Sequence, residues 1–167
     1  MIRRLAKLRV PIGFAAGALV IWLAQPTNIS LLVGAVIAVP GELIRIWAAG
    51  HLNRWREVTR SGPYRFVRHP LYVGSSIMSV GLAVAAATWP VAILVGVYMA
   101  VTLTAAVRFE ARELRQQFGA DYAAYQQGRA QPVDRGFSLE LAIANREYRS
   151  AAGLAIGLAI LWWKSTR

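Results

Sequence analysis

The sequence predicts an all-α fold, a polytopic membrane helical bundle with about five transmembrane helices and a cytoplasmic N-terminus. Three observations carry that expectation. Of 167 residues, 56% are hydrophobic and only 16% charged, against about a quarter charged in an ordinary soluble domain. The apolar residues gather in blocks near 10–25, 30–50, 70–87, 90–107 and 149–163, close to the roughly 17–25 residues that cross a bilayer. The 19 lysines and arginines alternate between connections. Arg3, Arg4, Lys7 and Arg9 precede the first block. Arg54, Arg56, Arg60, Arg65 and Arg68 lie between the second and third, and seven more fall in 108–149. The turns "QPTNIS" and "TWP" carry none. That is the positive-inside pattern, and it accounts for the net charge of +11 without nucleic acid. Lys164 and Arg167 fall on the opposite side from the rule, so the fifth crossing is the least supported. No cysteine is present, which excludes disulfides, thiolate catalysis and cysteine metal sites.

Taken in order, the first block has the basic start and apolar run of a signal peptide. No small-x-small cleavage site follows "IWLAQPTN", so it is expected to stay as a helix. Pro11 suits its first turn, Pro26 and Asn28 end it, and Ser30 caps the next helix. In the second block "VPGELIRIW" places a kink at Pro40 and sets Glu42 three residues before Arg45, on one helix face where they can pair. Such a pair inside a membrane serves function or snorkels to the nearby interface; spacing allows both. His51 is expected to be an interfacial residue. The third and fourth blocks, joined at Thr88-Trp89-Pro90, form a hairpin. Each arm of about 18 residues rises about 27 Å at 1.5 Å per residue, so the hairpin returns to the face it left. A last helix is expected over 138–163, led by the basic segment "LAIANREYRS" and ending in a Trp162-Trp163 belt that anchors the chain. No polar linker divides the sequence, so one domain is expected. Its parts are a helical pair (1–50), a central module with the hairpin (51–129) and a C-terminal segment (130–167).

The segment "SGPYRFVRHPLYVG" (61–74) holds more chemistry than a membrane loop requires. Gly62-Pro63 is a turn signal, and His69-Pro70 reads as a helix start with proline at the first position. The freed N–H groups there favour an anion, and Arg65 and Arg68 add charge. Tyr64 and Tyr72 supply aromatic faces for a flat ring or a cation. A ligand with a carboxylate, a purine and a positive centre suits that set, and S-adenosylmethionine has all three. Arginine beside tyrosine at a membrane boundary is also ordinary anchoring, but a second polar cluster returns to the same level. In "RFEARELRQQFGADYAAY" (108–125) Glu110 arrives near His69, Gly119 is a break, and Tyr122 and Tyr125 share a face. Glu110 and Glu113 also share a face, and a carboxylate there can bind an amino group or ribose hydroxyls. Most such charge runs are solvated surface helices, which Arg108, Arg112 and Arg115 fit well.

"GPYRFVRHPLYVG" followed by Glu110-xxx-Leu114-xxx-Phe118-Gly119-xx-Tyr122-xx-Tyr125 resembles the isoprenylcysteine carboxyl methyltransferase family. With the related phospholipid N-methyltransferases, that family comprises integral membrane enzymes using S-adenosylmethionine. The resemblance spans about residues 40–129. It implies cofactor contacts from Tyr64, His69, Pro70, Tyr72 and Glu110, with Arg56, Glu57, Val58 and Thr59 lining the same pocket beside Arg68 and Leu71. Two departures concern the acceptor side. Ala111 follows Glu110 where the family usually has a second glutamate, and Ala106 stands where it has an arginine. Arg108 and Glu113 are then the candidate acceptor contacts, and no residue receives a catalytic role.

The expected function is S-adenosylmethionine-dependent methyl transfer to a lipophilic acceptor, a carboxylate or an amine, at the cytoplasmic face. Methyl transfer to a carboxylate needs no general base, whereas a protonated amine does. His69 is the only candidate base in the motif, although a helix start suits it better for hydrogen bonding. Two other functions fit the composition: an NADPH-dependent sterol-type reductase and a lipid-binding scaffold whose arginines hold anionic headgroups. Membrane lipids and a lipophilic or lipid-modified acceptor are the expected partners. A metal is not expected, since no His/Asp/Glu cluster has ligand spacing.

Overall fold

The computed structural model describes residues 15–167, and Pro11 lies outside them. The described residues are helical at 15–23 (α1), Asn28–Ala49 (α2), Pro70–Ala86 (α3), Trp89–Gln126 (α4), Leu139–Ala144 (α5) and Tyr148–Ser165 (α6), with a 3₁₀ turn at Gly62–Arg65. No strand occurs among them.

Local chemistry explains the boundaries. The start of α2 is a capping box in which Thr27 is the cap. Its side chain accepts from Ser30 N–H, and the Ser30 hydroxyl oxygen accepts from Thr27 N–H. Ser30 is therefore the third helical residue rather than the cap, because its hydroxyl reaches back across the first turn. Ala87 ends α3 in the left-handed conformation, and α4 begins two residues later with Pro90 in its first turn. The apolar run and charged run that follow form one helix as far as Gly119, whose φ of 44° and ψ of −110° break it. The single helix expected over 138–163 is instead α5 and α6. Asn145 turns inward, its side-chain amide donating to the carbonyls of Ala49 and Leu52, and Arg146 takes a positive φ. These interactions interrupt a segment whose sequence alone favours continuation.

The core of the bundle is α2 against α3, with α6 behind them. Small residues allow the approach. A Cβ at Gly34 would lie 2.5 Å from Gly81 O, and one at Gly74 would lie 2.5 Å from Gly41 O. Close backbone contact of this kind is what drives helix association in lipid, where no hydrophobic force separates helix from solvent. A buried ionic cluster adds to it. Glu42 and Arg45 pair at 3.5 Å, and Arg45 Nε lies 2.7 Å from Glu147 Oε1, at the start of α6. Arg45 also donates to Ser75, and Ser150 Oγ donates to Glu42 Oε2 at 2.7 Å. The cluster joins three helices, so Glu42 and Arg45 do not snorkel as a separate pair.

Two described helices, Asn28–Ala49 and Trp89–Gln126, are long and apolar enough to cross a membrane, and Pro70–Ala86 is a shorter apolar helix. Only 6% of the apolar stretch of α4 is buried within the fold. An apolar helix this bare needs hydrocarbon around it. The α6 helix has Arg149 and Lys164 near its ends.

Candidate functional site

The site is assembled where the segment 51–69 meets the far end of the α3–α4 hairpin. Gly62 starts the 3₁₀ turn with φ 53°, and a Cβ there would run into the His51 ring. That contact is possible because His51 is buried, not interfacial. Its Nδ1 is 3.2 Å from Ser61 Oγ, and its ring meets Trp47 and Phe137 edge-on. Burial, together with Arg135 and Arg65, lowers its affinity for a proton below the usual imidazole value. Arg135 bonds both the His51 carbonyl and Glu57, fixing the segment from outside.

From this frame the chain delivers Tyr64 and His69. Tyr64 is buried beside Ala48 and Leu52. Burial, then the nearby Glu110 carboxylate, raises its phenol pKa far above the ordinary value, so it stays neutral. His69 precedes Pro70, the first residue of α3, and its ring stacks on Tyr72 with centroids 5.5 Å apart. Across the hairpin His69 Nδ1 is 3.4 Å from Glu110 Oε2, and Tyr72 also hydrogen-bonds that carboxylate. The break at Gly119 turns the last part of α4 back. Tyr122 is thereby buried, and the Tyr125 hydroxyl donates to Tyr64 O at 2.9 Å.

These groups enclose a cavity of about 40 Å³ lined by Leu52, Arg54, Trp55, Glu57, Val58, Thr59, Tyr64, Arg68, His69, Glu110, Leu114, Tyr122 and Tyr125. Glu57, Val58, Thr59, Tyr64, Arg68, His69 and Glu110 thus come together as expected from the sequence. Tyr72 touches the site through His69 and Glu110. Arg56, Pro70 and Leu71 do not line the cavity. Arg56 is exposed, Pro70 is fully buried as the helix start, and Leu71 packs on the Ala48–Leu52–Tyr64 cluster. Arg108 and Glu113 are also absent from the wall. Leu52, Arg54 and Trp55 were missed. Their only signal is proximity to Glu57–Thr59, and Trp55 reaches the cavity through a positive φ of 64° that nothing in its neighbours announces. Trp55 O accepts from Gln117 Nε2 of α4 at 2.6 Å.

A second cavity, about 480 Å³ and largely apolar, runs between α3 and α4 from Ser76 to Trp89 past Val80, Val84, Val95 and Met99. It starts one helical turn beyond Tyr72, whose carbonyl accepts from Ser76 Oγ at 2.9 Å.

Residues 12–121 match the family model for phospholipid methyltransferases. The chain belongs to that family, part of the isoprenylcysteine methyltransferase-like group of membrane methyltransferases. The match includes His69 and Glu110 and stops just before Tyr122. No curated relative and no solved structure matches the chain.

Proposed function

We propose that the chain transfers a methyl group from S-adenosylmethionine to a lipophilic carboxylate or amine at the cytoplasmic face, as a single multi-pass domain with five crossings and a cytoplasmic N-terminus. The carrying observation is the His69–Glu110 pair, held by Tyr72 and opening onto an aromatic and arginine-lined cavity. That donor set fits the cofactor. Glu110 offers a carboxylate to an ammonium or to ribose hydroxyls, Arg54 and Arg68 offer guanidinium groups to a carboxylate, and Tyr64 and Tyr122 offer ring faces to a purine. When bound, the cofactor supplies an electrophilic methyl group on a positively charged sulfur. Tyr64 stays neutral and serves as wall and hydrogen-bonding group, not as a base.

A volume of about 40 Å³ is small beside the roughly 300–1,000 Å³ of small-molecule sites, so the walls must part to admit the cofactor. Gln117–Trp55 and Tyr125–Tyr64 are the contacts that must yield for a ligand to enter. The apolar cleft between α3 and α4 supports a lipophilic acceptor, since it leads from the neighbourhood of Tyr72 along faces that meet lipid. Arg56, Pro70 and Leu71 then act by shaping the segment, and Arg108 and Glu113 are retained only as acceptor contacts outside the cofactor wall.

Calorimetry on detergent-purified protein tests this with S-adenosylmethionine, its demethylated product and NADPH. Micromolar binding of the adenosyl ligands, lost in folded His69→Ala and Glu110→Ala variants, is expected. Binding of NADPH alone would refute methyl transfer.

A further inference from the structure

The stretch between α4 and α5, residues 129–138, lies past the part of the chain that matches the family model and forms no helix or strand. It is tied along the segment that carries the cavity wall. Ser138 N–H donates to Gly50 O at 3.0 Å, and Val133 N–H donates to Arg60 O at 3.3 Å. Phe137 meets the His51 ring edge-on and lies against Gly50. Between these ties Arg135 spans the loop itself. Its Nη2 donates to His51 O and its Nη1 to Glu57 Oε1, so one guanidinium holds both ends of 51–57. That loop supplies Leu52, Arg54, Trp55 and Glu57 to the cofactor cavity. Its middle is strained and little covered. Trp55 stands at φ 64°, where a bulky residue is an outlier, and Arg54, Trp55 and Arg56 are exposed.

We propose that Arg135 is a positioning residue for the cofactor site, whose guanidinium staples the 51–57 loop and so sets where Trp55 and Glu57 stand in the cavity wall. The proposal rests on the S-adenosylmethionine reading of that cavity. With side-chain exposures of 29% for Arg135 and 39% for Glu57, the ion pair adds little stability by charge alone. Its contribution is order. A planar guanidinium meets two acceptors at once in a fixed geometry that a lysine ammonium lacks. A loop ordered before the ligand arrives does not have to be ordered in the binding step, which raises affinity. The same pairing occupies Glu57 Oε1. Glu110 is then the carboxylate left for a cofactor ammonium, and Glu57 acts through the loop.

The test uses the full chain in detergent, labelled with fluorotryptophan, and has two arms. Fluorine NMR of the ligand-free protein follows the Trp55 resonance, assigned by its loss in Trp55→Phe. Calorimetry follows S-adenosylmethionine. In Arg135→Gln the melting temperature is expected to change little, the Trp55 resonance to move to that of a mobile ring, and the affinity to fall about tenfold. Glu57→Gln is expected to do the same, and Arg135→Gln/Glu57→Gln no worse than either alone, because the two act as one contact. Arg135→Lys, which keeps the charge but not the fork, is expected to recover only part of the affinity; full recovery overturns the staple in favour of charge alone. An unchanged Trp55 resonance in folded Arg135→Gln overturns it, as does a mobile Trp55 with unchanged affinity. Additive losses in the double variant make Glu57 a direct cofactor contact and overturn its part in the staple. If Arg135→Gln does not fold, Glu57→Gln carries both arms. If the unsubstituted protein binds no S-adenosylmethionine, methyl transfer fails, and the staple stands or falls on the NMR arm.

Discussion

Two carboxylate clusters flank α3, one paired with an arginine and one with a histidine, and they differ in what surrounds them. In the first, Glu42, Arg45 and Glu147 are nearly closed off, with side-chain exposures of 6%, 19% and 7%. Their partners lie on neighbouring helices. In the second, His69 and Glu110 keep 23% and 29% of their side-chain surface open and face a cavity. A closed cluster with mutual partners fastens helices. An open pair with aromatic walls is available to a ligand. Charge content alone would rank the first cluster higher, so surroundings, not charge, separate the two.

The largest effect should come from breaking the closed cluster. Arg45→Met leaves two carboxylates facing each other inside the bundle and is expected to cost about 3–5 kcal/mol, as removal of one member of a buried ion pair does. Thermal unfolding in detergent should show that loss. Glu42→Leu/Arg45→Met/Glu147→Leu should recover most of the stability, because replacing the whole cluster removes the unpaired charge. If the triple variant is no more stable than Arg45→Met, the cluster is more than a fastener.

Next in size is the open pair. Glu110→Gln keeps the shape but removes the charge, and is expected to weaken S-adenosylmethionine binding about 10- to 100-fold, the worth of one charge-assisted hydrogen bond. The melting temperature should change little, since Tyr72 and His69 remain packed. A large drop in melting temperature with unchanged binding would reverse the roles of the two clusters.

How much of this was legible in the sequence differs between the clusters for a physical reason. The Glu42–Arg45 pairing follows from helical spacing, but its partner Glu147 lies 102 residues away and nothing local points to it. The approach of His69 to Glu110 was legible because two apolar arms of equal length bring their ends level. The break at Gly119 and the shared face of Tyr122 and Tyr125 were legible for local reasons. Arg54 and Trp55 were not, since an irregular loop between helices has no period from which to read direction. The division of the last helix at Asn145 depends on carbonyls of Ala49 and Leu52, which only the tertiary structure supplies. Phe137 against Gly50 and Arg135 on Glu57 escaped notice for the same reason.

A smaller and pH-dependent effect separates the frame from the site. His51 has a lowered proton affinity in the folded protein. As pH falls through the usual imidazole value of 6.5, the unfolded chain takes up a proton that the folded chain does not. The stability contributed by neutral His51 is therefore full above that value and declines below it. Melting temperatures from pH 8 to pH 5 should fall more steeply for the unsubstituted protein than for His51→Gln. Equal slopes would mean that His51 is not held neutral and that the frame rests on Ser61 and Gly62 alone.

The smallest effect tests whether the open pair sits behind a closing contact. Gln117 lies on the exposed side of α4 and reaches Trp55 O through a single hydrogen bond. A neutral bond at the surface contributes about 0.5–1.5 kcal/mol, so Gln117→Ala should scarcely alter melting. It should nevertheless favour the open form of the cavity, raising both association and dissociation rates of S-adenosylmethionine severalfold. Stopped-flow binding distinguishes this from a contact residue, whose loss raises dissociation alone. If association is unchanged, ligands enter past Tyr125 and Tyr64 instead, and the Tyr125→Phe variant, which removes the donor to Tyr64 O, becomes the one that should bind faster.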